Sequence, residues 1–294
     1  MSPYHFLFKI MRKLSLLPVA ISLSFTITAC QSTNSGNSAE VEEKLIETKI
    51  KIIQSKLDSG KAMQALFEAE PLYKKFPNNP KVLTIIAFTD LALKNNMRAV
   101  INLKKVYQSE KTASSALNLS SAYIASKNYD KALAVIDEGI KLGTAIKYKN
   151  ISRLYHNKGH IYELKGQEEL AISEYKQALY HSPGYILTIK NLANLLEKQS
   201  KHAEALMMYR RYSYACAACY EPISKIVSHD IKIKNYAEAK SLLKNFLENR
   251  YADSKDKRHA HKLLKRVDRM MISMERNKRK NYSGKANDRK RKSL

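Results

Sequence analysis

The sequence predicts an all-α solenoid of about six helix–turn–helix repeats, closed by a C-terminal capping helix. Three observations carry this expectation. First, an alanine recurs at Ala65, Ala99, Ala132, Ala171, Ala205 and Ala239, with gaps of 34, 33, 39, 34 and 34 residues, each inside a run of helical apolar spacing. Second, residues that turn or stop a helix, Gly166 and Pro183 most clearly, punctuate these runs. Third, residues 260–274 place Leu263, Leu264, Val267, Met270, Met271 and Met274 on one helical face, as needed to cover the last exposed groove of a stacked array. An array of this kind offers an extended surface to another macromolecule more often than a catalytic pocket.

In chain order, residues 1–29 read as an export signal. Lys9, Arg12 and Lys13 make a positive start, and residues 14–28 are uncharged and mostly apolar. That run is interrupted by Ser, Thr and Pro18 and falls short of the about 20 apolar residues a bilayer-spanning helix needs. Met11 offers a second possible start. The run closes Ile27-Thr28-Ala29-Cys30, which resembles the lipobox of bacterial lipoproteins. The resemblance implies a diacylated Cys30 as the mature N-terminus, with palmitate-type chains. It also implies sorting to the periplasmic face of the outer membrane, since Gln31 rather than Asp follows. Acyl chains add about 0.8 kcal/mol per buried CH₂, so two or more make attachment stable. A secreted protein with a chance cysteine and a retained membrane helix are the alternatives. Residues 30–41 read as the lipidated cysteine and a flexible polar tether.

The repeats occupy residues 42–253. The clearest unit places Tyr155, Gly159 and Tyr162 on one helix and Ala171, Tyr175 and Ala178 on the next, with Pro183 after it. Small residues stand where two helices must approach, and tyrosines fill the space above and below. This arrangement resembles the tetratricopeptide repeat, which implies a right-handed superhelix whose concave face is lined by the first helix of each pair. The pattern returns with Leu119, Tyr123, Ala132 and Ile136, with Leu192, Leu196, Ala205 and Tyr209, and with Ile223, Val227, Ala239 and Phe246. It is weaker before Leu119, and Asp90 and Asp230 occupy positions that are normally apolar. The long gap between Ala132 and Ala171 adds five residues around 143–150, expected either to lengthen the following helix or to form a junction loop.

The resemblance also marks candidate partner-binding residues on the concave groove. In the first half these are Lys81, Phe88, Leu117, Arg153, His156 and His160, with Phe88 and Leu117 as apolar anchors. In the second half they are Glu163, Lys190, Asn194, Glu197 and Lys198.

Cys216 and Cys219, ahead of Pro222, form a possible disulfide at the junction of the fifth and sixth repeats. Two reduced, buried cysteines are the main alternative, because i,i+3 cysteines on an unbroken helix do not meet disulfide geometry. His156 and His160 lie one helical turn apart, but Asn157 stands where a zinc protease needs its general-base Glu, so no metal is expected. No phosphate loop, nucleophile elbow or paired-carboxylate pattern is present, and neither catalysis nor a cofactor is expected.

The formal charge of +25 attracts polyanions, and the charge is densest in residues 276–294, expected to be a disordered basic tail after a capping helix at 254–275. Behind an export signal, the available anions are lipid head groups, cell-wall carboxylates or an acidic protein rather than nucleic acid; a general bias of the chain toward Lys is the bland alternative. The anchor plus six repeats is similar to the pilotins of type IV pilus assembly, which implies a lipid-anchored periplasmic adaptor for an envelope protein such as a pilus secretin. It also resembles lipoprotein adaptors that organise cell-wall enzymes. The alternative is a basic structural protein that engages anionic lipid or cell-wall polymer through its tail.

Overall fold

The computed structural model describes the backbone of residues 34–291 and the side chains of residues 39–280. The expected signal, Cys30 and Gln31 lie outside the described residues. Thirteen helices and no strand occur among the described residues. They form six pairs: α1 (Asn34–Asp58) with α2 (Ala62–Lys75), α3 (Pro80–Ala92) with α4 (Asn96–Ser109), and α5 (Ala113–Ala125) with α6 (Tyr129–Ala145). The series continues with α7 (Ile151–Leu164) and α8 (Glu168–His181), α9 (Ile186–Lys198) and α10 (His202–Ala215), and α11 (Tyr220–Lys232) and α12 (Tyr236–Glu248). The last helix, α13 (Ser254–Arg291), has no pair of its own. The all-α class, the six repeats and the terminal cap therefore agree with the sequence expectation. The chain divides into two compact units, the first ending at Ile161 and the second beginning at Tyr162.

The alanines do what their spacing demands. All six are between 0 and 2% exposed, seated where the helices of a pair touch. Five residues before each alanine, the turn places one residue in the left-handed region: Gly60, Lys94, Lys127, Gly166, Ser200 and Lys234. At every one of these turns the next residue's N–H closes onto a carbonyl five residues back, as from Asn95 to Asp90 at 2.8 Å and from Gln167 to Tyr162 at 2.8 Å. This is the Schellman geometry that satisfies the last carbonyls of a helix. Only two of the six positions are glycine, so the sequence showed the turn clearly at Gly166 and not at the lysines.

In the first unit, one core groups Ile46, Ile53, Leu57, Leu72, Val82 and Ile86, and a second groups Leu103, Leu119, Ile136, Leu154 and Ile161. Asn79 caps α3 by accepting from the Lys81 and Val82 amides, with Pro80 at the first helical position. Thr112 and Ser115 cap α5 reciprocally. Of the extra residues at 143–150, residues 143–145 extend α6 to 17 residues and residues 146–150 form the junction loop, while α7 is not lengthened. Gly139 and Gly143 make this possible. A Cβ on Gly139 would stand 2.8 Å from that of Ala116, and one on Gly143 would stand 3.3 Å from that of Ala113, so α5 and α6 approach along a glycine face.

In the second unit, Tyr175, Ile189, Leu192, Leu196 and Tyr209 form one core. Ile223, Val227, Leu243 and Phe246 form another, sealed by Ala260 and Val267 of α13 with Leu263, Leu264 and Met271 beside them. The expected cap is thus in place. The helix differs from expectation beyond it, because it runs on to Arg291 through the segment expected to lack structure. Lys and Arg are good helix formers and no proline interrupts them. At the other end, α1 already begins at Asn34, within the expected tether.

Candidate protein-binding face

The first helices α3, α5, α7 and α9 carry the residues nominated for partner binding, with Glu163 in the last turn of α7 belonging to the second unit. In the first unit Lys81 is exposed and bridges back to Glu43 and to Glu47, the latter at 3.1 Å. The hydrogen bond to Glu43, more than any other effect, holds its ammonium above the usual lysine range. Phe88 is half-buried against the first core. Leu117 is 3% exposed and belongs to the second core, so it serves packing rather than anchoring a partner. The i,i+3 and i,i+4 pattern around it made core and face indistinguishable in the sequence.

On α7, Arg153 and His160 are half-buried, whereas His156 is 8% exposed. Burial first, then the charges of His160 when protonated and of Arg153, push the His156 imidazole down to about 3, so it is neutral at ordinary pH. No cluster of three His, Cys, Asp or Glu able to hold a metal ion occurs among the described residues. Asn157, the next residue, donates to Ser121 Oγ at 3.3 Å and links α7 to α5.

The second unit organises its nominated residues into a ladder. Tyr175 Oη donates to Glu163 at 2.6 Å and accepts from Asn191 at 3.2 Å. One repeat later, Tyr209 Oη donates to Glu197 at 2.6 Å and also contacts Asn194 Oδ1 at 2.9 Å. Burial first, then the adjacent glutamate, raises both phenols well above the ordinary tyrosine range. Glu197 additionally takes Lys225 of α11 at 2.7 Å, and Lys190 reaches Glu221 of α11 at 2.6 Å. Lys198 turns instead to Glu168 of α8 at 2.5 Å. The structure therefore brings Glu163, Asn194, Glu197 and Lys190 together as cross-links between helices, not as free groups. Tyr209 and Lys225 were not nominated from the sequence. The signal was present, since Glu163 and Tyr175 recur as Glu197 and Tyr209 one 34-residue repeat on.

Such a face can exchange its Lys–Glu pairs for the amides and charged side chains of an incoming segment at modest cost, because exposed ion pairs contribute little by themselves. Cys216 and Cys219 are bonded to each other, with 5.4 Å between their Cα atoms. The helix is interrupted between them: Cys216 ends α10 and Cys219 precedes α11. The obstacle raised by an unbroken helix is thereby absent.

Residues 113–142 and 152–185 match the tetratricopeptide-repeat family. These two segments are tetratricopeptide repeats. A 112-residue stretch is 36% identical to the uncharacterized protein ycf37 of Cyanophora paradoxa, covering 36% of this chain and 62% of that protein. The ycf37 protein of Guillardia theta is 25% identical over 114 residues and is covered to 64%. The chain thus spans less than two thirds of these relatives. Among solved structures, PilW, a type IV pilus biogenesis factor, aligns with a TM-score of 0.57 and 17% identity over 73% of this chain and 97% of that one. PilF of Pseudomonas aeruginosa aligns with a TM-score of 0.56 and 16% identity over 74% and 97%. At these identities the likeness is one of fold.

Proposed function

We propose that the chain is a lipid-anchored periplasmic adaptor that binds a partner protein along the first-helix face, for the assembly of an envelope complex such as a pilus secretin. The observation that carries this reading is the face itself: successive first helices within a unit, cross-linked by the Tyr–Glu and Lys–Glu contacts of α9 to α11. The likeness in fold to PilW and PilF supports the envelope context, and the lipobox-like Ile27-Thr28-Ala29-Cys30 supports the anchor. Acyl chains on Cys30 would hold the adaptor at the outer membrane while the repeats receive the partner. Cross-linking and pull-down of the mature protein from an envelope fraction, at low and high salt, tests the reading. A single stoichiometric partner, lost on charge reversal at Glu197 and Lys190, is expected; recovery of no partner with either salt rejects it. Mass spectrometry of the mature N-terminus tests the anchor, and an unmodified Cys30 would remove it.

A second reading rests on α13, which carries fifteen Lys and Arg residues against four Asp and Glu. In it the repeats are a spacer and the basic helix engages anionic lipid or cell-wall polymer. Deleting residues 276–294 separates the two. Capture of the partner that survives intact favours the adaptor, and loss of envelope association beyond the lipid anchor favours the second.

A further inference from the structure

The outward side of the first two helix pairs bears an apolar strip that partner capture on the first helices does not use. Met63 and Phe67 of α2 are 68% and 80% exposed, and Met97 and Ile101 of α4 are 69% and 53% exposed. They occupy equivalent positions, two residues before and two after Ala65 or Ala99, which turns them to the opposite side of the helix from the buried alanine. Both helices pack on α3, so the strip is repeated at the spacing of neighbouring pairs within one unit. The third, fourth and sixth repeats do not keep it, having Asp130 and Ala134, Glu169 and Ser173, and Ala237 and Ser241 at these positions, and the fifth keeps only Met207, with Ala203 at the other position.

Charge around the strip has one sign. The two carboxylates of α2 are both neutralised, Glu68 by Lys49 and Lys56 at 3.1 Å each and Glu70 by Arg98 at 2.6 Å, and α4 has none. Lys74, two turns beyond Phe67, and Lys104 and Lys105, one turn beyond Ile101, are exposed. Large apolar side chains in the first half of each helix and lysines in the second half, on one face, match an interface where acyl chains lie under anionic head groups. Four side chains also offer only roughly half of the about 800 Å² per partner that a stable protein interface buries, and the lysines of a second copy would repel these.

We propose that this strip docks on an anionic lipid bilayer, with Met63, Phe67, Met97 and Ile101 entering the head-group boundary and Lys74, Lys104 and Lys105 facing lipid phosphates. The inference goes beyond the adaptor reading and does not require Cys30 to be lipidated.

The chain has no tryptophan, so Phe67→Trp creates a single local reporter. The test uses residues 30–294 carrying Cys30→Ser, which retain every described residue, with vesicles of phosphatidylcholine and phosphatidylglycerol. Indole emission from the Phe67→Trp variant is expected to shift to the blue and to be quenched by brominated acyl chains. A Tyr214→Trp reporter, at a site 88% exposed in the second unit, is expected to stay unchanged. A Phe67→Glu, Ile101→Glu double variant with an unaltered helical spectrum should partition onto the vesicles at least about tenfold more weakly. Unchanged emission from the Phe67→Trp variant while it sediments with vesicles would assign binding to the basic helix and overturn the proposal. So would equal shifts at both reporters, or a concentration-dependent shift without vesicles, which would mean a second copy of the chain.

Discussion

Asp90 and Asp230 show how one repeat position is solved twice with opposite charges. Both are fully buried near the end of a first helix. Asp90 is gripped by Arg98, eight residues on, whose Nε reaches its two oxygens at 2.8 and 2.7 Å, while Nη1 holds Glu70 at 2.6 Å. At the corresponding offsets from Asp230 stand Glu238 and Arg210. Neither oxygen of Asp230 has a hydrogen-bond partner among the described residues. Burial pushes its carboxyl upward, with Arg210 pulling the other way and Glu238 adding to the rise. Arg98→Leu should therefore cost about 3–5 kcal/mol, because it strands a buried carboxylate. Glu238→Arg should instead stabilise the sixth pair by about 1 kcal/mol, and Asp230→Leu should erase that gain in a double-mutant cycle of urea midpoints. His156 belongs to the same scale. Its folded imidazole titrates near 3 against 6.5 when free, so the unfolded chain binds the extra proton between those values. Its contribution to stability is present above pH 6.5 and is lost as pH falls toward 3, at up to about 1.4 kcal/mol per pH unit. Urea midpoints measured against pH should flatten over that window in His156→Gln.

At the scale of the helix, the turns within pairs are the most uniform feature and the least visible in the sequence. Lys94, Lys127, Ser200 and Lys234 hold φ between 58° and 64°, a region that penalises a Cβ. Lys234→Gly should raise the thermal midpoint, by about 1 kcal/mol of stability, whereas Gly166→Lys should lower it by a similar amount. An unchanged midpoint in both would contradict the turn geometry. The alanines were legible because a close approach admits only small side chains and the period repeats that demand. The left-handed turns were not, because the hydrogen bonds of the turn hold a lysine there despite the penalty on its Cβ. The junction at 143–150 shows the same limit. Its extra length was plain, but the choice to extend α6 depended on Gly139 and Gly143 meeting Ala116 and Ala113 across the helix pair.

For the molecule, the exposed end of the last pair decides where stability must be added. Truncation after residue 253 uncovers Ile223, Val227, Leu243 and Phe246, and should broaden and lower the melt followed by circular dichroism. Removing only residues 276–294 should leave the melt unchanged, since the residues of α13 packed on the core end at Met271. A drop with the shorter deletion would mean that the basic end is also structural.

The periodic alanines, the apolar stripe of residues 260–274 and the punctuation by Gly166 and Pro183 settled the all-α class, the number of pairs and the presence of a cap. They could do so because helix packing imposes a local and repeating requirement on side-chain size. Only the tertiary structure decided which of the nominated residues of the first helices are available. Leu117 and His156 turned inward, and Glu163, Lys190 and Glu197 were taken up by Tyr175, Glu221, Tyr209 and Lys225. A charged side chain's partner lies on another helix, and its identity depends on how those helices are set against each other; spacing showed that Glu163 and Tyr175 recur as Glu197 and Tyr209, but not that they touch.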